Sequence, residues 1–144
     1  MGRRFLGAAA LLLLAAAACG DPNAGNEPAV AGVTVESPAG GQYASTGLIS
    51  GRVQGSVAVK VGEEKELVMV LFYGDGSPVR ISGDRSVRVT VANPALAAWT
   101  VTGPTTGTLR GTATGSTSLT VELVRSGKAV WTSPPIPVTV QPEL

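Results

Sequence analysis

Leu119-Thr120-Val121-Glu122-Leu123 is the stretch on which the fold turns. Leucine and valine alternate there with threonine and glutamate. A period of two puts the apolar side chains on one face of an extended strand and the polar ones on the other. Just downstream, Ser126-Gly127 is a hairpin signal, and Ala129 and Trp131 follow on the return strand. Pro134-Pro135 then interrupts the chain before Ile136, Val138 and Val140 alternate again. Proline donates nothing to a strand ladder, so this last strand is expected at a sheet edge or bulged.

Upstream the same period recurs. Val57, Val59 and Val61 alternate with Ala58 and Lys60, and Gly62 ends the run. Glu66-Leu67-Val68-Met69-Val70-Leu71-Phe72-Tyr73 is apolar on both faces, as a central strand of a two-layer structure would be. Gly74-Asp75-Gly76-Ser77-Pro78 reads as a turn, after which residues 79–83 pair locally. Val87, Val89 and Val91 alternate with Arg88 and Thr90 before Asn93-Pro94 breaks the strand. Trp99 shares a parity with Val101 up to Gly103-Pro104, and Leu109, Gly111 and Ala113 suggest another short strand. After residue 18 no segment shows a 3.6-residue apolar period of useful length. About seven valine- and threonine-rich strands at intervals of about ten residues predict an all-β, antiparallel β-sandwich. An open barrel is the structural alternative.

The amino terminus reads differently. Arg3-Arg4 precedes a run of alanine and leucine over residues 5–18 that ends in small residues before Cys19, the single cysteine. That is the layout of a secretory signal. Fourteen residues of helix would span roughly 21 Å, short of the ~30 Å hydrocarbon core, so a cleaved signal is expected rather than a permanent span. Ala16-Ala17-Ala18-Cys19 resembles the lipobox of bacterial lipoproteins, with Ala16 where leucine is usual. The resemblance implies cleavage before Cys19 and acylation of that cysteine. The alternative is an ordinary secretory signal cut nearby, with Cys19 left as a thiol. Residues 20–32, rich in glycine, proline and asparagine, read as a flexible tether. Val33-Thr34-Val35-Glu36 alternates as a short first strand would, and residues 37–50 return to loop composition. The expected division is a signal over 1–18, a lipidated cysteine and flexible tether over 19–55, and the β domain over 56–141.

Composition excludes several classes. Eleven basic residues stand against ten acidic ones, and without Arg3 and Arg4 the balance is slightly negative. No clustered basic footprint for nucleic acid exists. With no histidine and one cysteine, neither an intrachain disulfide nor a Ser–His or Cys–His catalytic pair can form. Zinc and copper sites lose their two commonest ligands. Lys60, Lys65 and Lys128 could in principle activate a serine, as in serine–lysine hydrolases, but neither S-x-x-K nor G-x-S-x-G accompanies them. No cofactor and no enzymatic activity are expected.

Val61-Gly62-Glu63 followed by a long apolar strand resembles the opening of group 2 bacterial immunoglobulin-like domains, the type found in intimins and invasins. Asn93-Pro94-Ala95-Leu96-Ala97 is similar to that family's N-P-x-V-A corner, and Gly107-Thr108-Leu109-Arg110-Gly111 to its G-x-V-T-G step. Ala113-Thr114-Gly115-Ser116-Thr117-Ser118-Leu119-Thr120-Val121 resembles its A-x-G-x-A-x-I-x-V strand pair. The tryptophan that usually precedes the corner is absent from residues 87–92. The resemblance spans residues 57–140. It implies an immunoglobulin-like sandwich on the cell surface, serving as spacer or adhesion module without a catalytic site.

Two functional readings follow. One is a lipid-anchored envelope protein, periplasmic or at the cell surface, that offers a protein partner a sheet edge, such as the strand containing Ile136 to Val140. The other is a glycan-binding module with Trp131 and Tyr43 as contacts. Trp99, Phe72 and Tyr73 are the remaining aromatic residues considered for a stacking platform. Asp75 and Asp84, with Glu63 or Glu64, are weak candidates for calcium, because no spaced aspartate ladder accompanies them.

Overall fold

The computed structural model describes residues 28–47 and 51–143. The signal over 1–18, Cys19 and the first part of the tether lie outside the described residues. Among those described, eleven strands form two facing sheets and no helix is present. The β-sandwich expected from the period-two pattern is therefore the fold.

The organising strand is the one containing Leu119. In chain order the strands are β1 (Val30–Glu36), β2 (Gln42–Thr46), β3 (Val53–Gly55), β4 (Val57–Lys60), β5 (Glu64–Tyr73), β6 (Arg85–Val91), β7 (Ala97–Val101), β8 (Thr106–Gly111), β9 (Gly115–Arg125), β10 (Lys128–Thr132) and β11 (Ile136–Gln141). Leu119 and Val121 are fully buried, and Leu123 nearly so. Along one side of β9 runs β6, from Arg85 opposite Arg125 to Val91 opposite Leu119. Its Val87, Val89 and Val91 are half-buried against the core, and the Arg88–Glu122 ion pair bridges the two strands on the solvent face.

The other side of β9 is shared in sequence by two strands. Ser126 and Gly127, at φ 50° and 80°, make the left-handed two-residue turn that matches the twist of a hairpin. They return the chain as β10 along residues 122–125. The chain then passes Pro134-Pro135 and β11 continues along residues 115–119. Ser133 closes the gap between the two pairings. Its N–H donates to the Val121 carbonyl at 2.8 Å, and its hydroxyl accepts the Val121 N–H at 2.9 Å. A serine oxygen thus stands where a strand carbonyl would.

The last strand is not an edge. β11 lies between β9 and β4, antiparallel to the first and parallel to the second, so this sheet is mixed. Pro137 is tolerated because its pair with Ser118 makes no ladder bond. The Ser118 carbonyl accepts from Ala92 instead, and pairing with β4 begins one residue later, at Val138. Proline restricts a strand only where its missing N–H is needed. The expected docking edge over Ile136 to Val140 is accordingly covered on both sides.

The second sheet runs β3-β2-β1-β5-β8-β7. In β5, Leu67, Met69 and Leu71 are fully buried, while Val68, Val70 and Phe72 on the outer face are half-buried. The chain crosses between the sheets at Asn93-Pro94-Ala95-Leu96. There the Asn93 side-chain oxygen accepts the Ala95 N–H at 3.1 Å, and the Leu96 carbonyl takes the N–H groups of Thr112 and Ala113. Trp99 on β7 packs over Gly107 of β8, where any Cβ would overlap its ring.

The flexible tether does not extend to residue 55. β1, β2 and β3 form one end of the second sheet, and Val33, Val35 and Ala44 belong to the core. β2 escaped a hydrophobicity reading because its inward residues are Ala44 and Thr46. Thr46 is held by polarity rather than by apolar area, accepting the Val33 N–H at 2.9 Å. These short strands also raise the count from about seven expected to eleven.

Two substitutions test this packing. Leu119→Ala is expected to cost about 2–5 kcal/mol in urea unfolding, whereas Thr139→Ala on the exposed face of β11 stays within about 0.5 kcal/mol. Ser133→Ala strands the buried Val121 N–H and is expected to cost about 1–3 kcal/mol. A neutral result there would mean that the β10-to-β11 transfer does not depend on the hydroxyl.

Candidate functional site

The aromatic residues do not converge as the sequence suggested. Trp131 on β10 stands opposite Leu123 and is half-buried against the core. Tyr43 lies on β2 in the other sheet, with the Lys65 ammonium 5.0 Å from its ring centroid, a cation–π contact. Tyr43 takes no part in the cleft that Trp131 lines. Trp99 borders a separate shallow hollow with Val87, Val89 and Pro104. Phe72 sits on β5 and bridges to Pro78.

Tyr73 is the aromatic partner that the fold supplies. It ends β5, and with Trp131 it lines a cleft of about 230 Å³ at one end of the sandwich. Pro28, Ala29 and Val30 at the entry to β1, Arg85 at the start of β6, and Leu123, Arg125 and Val130 around the β9–β10 hairpin complete the lining. Both sheets contribute, so the cleft exists only in the assembled sandwich.

Its electrostatics centre on an unusual pair. Arg85 and Arg125 are directly opposed in the β6–β9 register, where like charges destabilise a sheet. Asp84 offsets them. Its carboxylate accepts the Ser126 hydroxyl at 2.9 Å and lies 3.4 Å from Arg125 Nε. Arg85 Nη1 lies 3.5 Å from the Tyr73 hydroxyl and 3.4 Å from the Arg80 carbonyl. The hydrogen bond from Ser126, and then the Arg125 charge, hold the Asp84 carboxyl below its ordinary value.

The calcium candidates are engaged separately. Asp75 Oδ1 accepts both the N–H and the hydroxyl of Ser77, at 2.9 and 2.6 Å, which lowers its pKa and closes the β5–β6 turn. Glu63 accepts the Lys60 N–H at 2.7 Å, and Glu64 lies 3.5 Å from Arg110. Among the described residues no three potential metal ligands group together. Lys65 donates to the Ala58 carbonyl.

Arg85 and Arg125 had no sequence signal of their own. Forty positions of chain separate them, and only the β6–β9 register brings them face to face. Trp131 and Tyr73 were visible as aromatic residues, but their meeting depends on how the two sheets close.

No protein-family model matches the chain, and no curated protein matches it. Among solved structures it is similar to domains 5–6 of the S-layer protein SbsC, at 21% identity and a TM-score of 0.52, over 80% of this chain and 45% of that one. A structure of domains 4–9 of the same protein is matched at 21% identity and a TM-score of 0.52, over 81% of this chain and 15% of that one. The chain thus spans less than half of each of these two structures. At this identity the likeness is one of fold: a two-sheet β domain.

The lowered Asp84 pKa sets a direction for acid sensitivity. A carboxylate depressed in the folded state stabilises above its unfolded value, near 3.9, and that contribution is lost as pH falls through the folded value. The difference in denaturation midpoint between the native chain and Asp84→Asn is therefore expected to hold steady from neutral pH to about 5. It should shrink below about 4. A difference that grows on acidification would contradict the assignment.

Proposed function

We propose that this chain is a non-catalytic lipoprotein of the bacterial cell envelope, with one immunoglobulin-like domain of the group 2 type that serves as spacer or protein-interaction module. The observation that carries the reading is a two-sheet domain with the fold of S-layer protein domains, set directly behind a lipobox-like Ala16-Ala17-Ala18-Cys19. The motifs at Asn93-Pro94-Ala95-Leu96-Ala97 and residues 107–121 support the family assignment. The first lies at the crossing between sheets and the second spans β8 and β9, positions that build the sandwich.

An anchored spacer needs no reactive constellation, and the absence of histidine removes the usual general base. Acylation at Cys19 supplies the membrane attachment. Two or more acyl chains hold a protein stably where one holds it marginally, at ~0.8 kcal/mol per buried CH₂. Because β11 is covered on both sides, a partner strand would have to use a sheet end instead. In the larger sheet those ends are β3 and β7, and β7 finishes on Val101, which is 66% exposed.

Fractionation of cells producing the native chain and Cys19→Ala tests the anchor. The native chain is expected in the membrane fraction and the variant in the soluble exported fraction. Equal membrane retention of both would overturn lipidation at Cys19.

A further inference from the structure

β7 is the strand edge that the fold leaves unguarded. An exposed edge is a template for another strand, and folded domains blunt it with charge, shortness, bulges or covering groups. The other free edges each carry such a device. β3 has three residues. β6 carries Arg85 and Arg88, and β10 carries Lys128 and a break in register between Ala129 and Trp131. On β4 the Ala58 carbonyl accepts from the Lys65 ammonium, and the Lys60 N–H is taken by Glu63 at 2.7 Å. β7, Ala97-Ala98-Trp99-Thr100-Val101, has no charge, proline, glycine or register shift. We propose that β7 pairs with the β7 of a second copy of this chain, antiparallel, about a twofold axis at Trp99. The pairing rests on the reading of the chain as a protein-interaction module, not on its anchor, and it names the partner.

The backbone of β7 is set for this register. The Thr102 N–H donates to the Thr106 carbonyl at 3.1 Å, and the Leu96 carbonyl accepts the Thr112 N–H at 2.8 Å. Bonded and non-bonded pairs alternate along an antiparallel ladder, so Ala98 and Thr100 bond to β8. Ala97, Trp99 and Val101 turn their backbone groups the other way. Of those groups only the Ala97 N–H has a partner among the described residues, the Asn93 carbonyl at 3.4 Å. Setting Trp99 opposite its copy matches the remainder. Each Trp99 N–H meets the facing Trp99 carbonyl, and each Val101 N–H meets the facing Ala97 carbonyl.

Side chains and charge favour a copy over a foreign strand. The twofold register sets Val101 against Ala97 and Thr100 against Ala98, a larger side chain against a smaller one each time. Such self-complementarity is what a twofold interface requires. No charged side chain lines the hollow between β6 and β7, where Val87, Val89, Trp99, Val101 and Pro104 lie. Arg110, opposite Ala98 on β8, is offset by Glu64 at 3.5 Å. Joining two copies along β7 therefore opposes no like charges across the new ladder. It also covers Val101, which is 66% exposed. Only five residues pair, so the contact belongs with the small, reversible interfaces.

The test is cross-linking between two differently tagged full chains made in the same cells, one with Ala98→Cys and the other with Thr100→Cys. In the twofold register these positions form a non-hydrogen-bonded pair with Cα atoms about 4.5 Å apart, within reach of a disulfide. Two copies of one variant place their cysteines on the diagonal, about 7–8 Å apart, beyond that reach. Under mild oxidation a reducible product bearing both tags is expected at about tenfold the yield of either same-variant product. Chains with Cys19 alone set the background. Val101→Lys, a charge on the edge, should lower the two-tag yield about tenfold, while Thr139→Lys on the exposed face of β11 leaves it unchanged. No two-tag product, equal yields from all pairings, or a yield indifferent to Val101→Lys would each overturn the pairing. A benzophenone side chain at position 100 then reads the occupant directly. An adduct with a second copy supports the pairing. An adduct with a different protein alone overturns it and leaves the interaction-module reading standing, and no adduct of either kind overturns it and leaves the chain a spacer.

Discussion

The domain depends on one strand having enough length to be paired three times. β9 runs eleven residues, accepting β6 along one side and β10 followed by β11 along the other. Such a change of partner leaves backbone groups exposed where one strand stops and the next begins, and a buried unpaired N–H is costly. Ser133 resolves this with its own N–H and hydroxyl, both aimed at Val121. The paired prolines that follow are the bend that sends β11 on toward β4. What looks in the sequence like an interruption is the device that joins the β9–β10 hairpin to the rest of the sheet.

That architecture has to be held by burial. With one cysteine and no histidine in the chain, neither a disulfide nor the commonest metal cage contributes. The core is accordingly dense in branched aliphatic side chains from both sheets: Leu67, Met69 and Leu71 from β5 face Leu119 and Val121 of β9 and Ile136 and Val138 of β11. A small domain has little surplus to lose. The Thr46 and Ser133 hydroxyls inside it are bonded to backbone. The charges at the surface are local devices. Asp75 closes a turn, and Asp84 tempers the opposed arginines beside the hairpin.

The same end of the sandwich carries the cleft lined by Tyr73 and Trp131. Its aromatic residues come from β5 and β10 and its arginines from β6 and β9, so it is a product of sheet closure rather than of any local motif.

The period of two in Leu119-Thr120-Val121-Glu122-Leu123 was sufficient for the β class, because alternation leaves a strand no other way to bury its leucines and valines. Ser126-Gly127 was sufficient for the hairpin, since few residue pairs accept two left-handed conformations. Asn93-Pro94 was sufficient for a break. Other features were not local. β2 hides behind Ala44 and Thr46, whose burial comes from neighbours and not from their own hydrophobicity. β11 reads as an edge strand until its register shows that Pro137 falls where no donor is required. Arg85 and Arg125 lie forty positions apart and acquire meaning only when the β6–β9 register sets them opposite each other. Sequence alone determined which residues turn inward in the strongly alternating strands β4, β9 and β11, since that is a matter of period. Tertiary structure decided which strands are neighbours, and with that which distant charges and rings share a cleft, since pairing is settled by the closure of the whole sandwich.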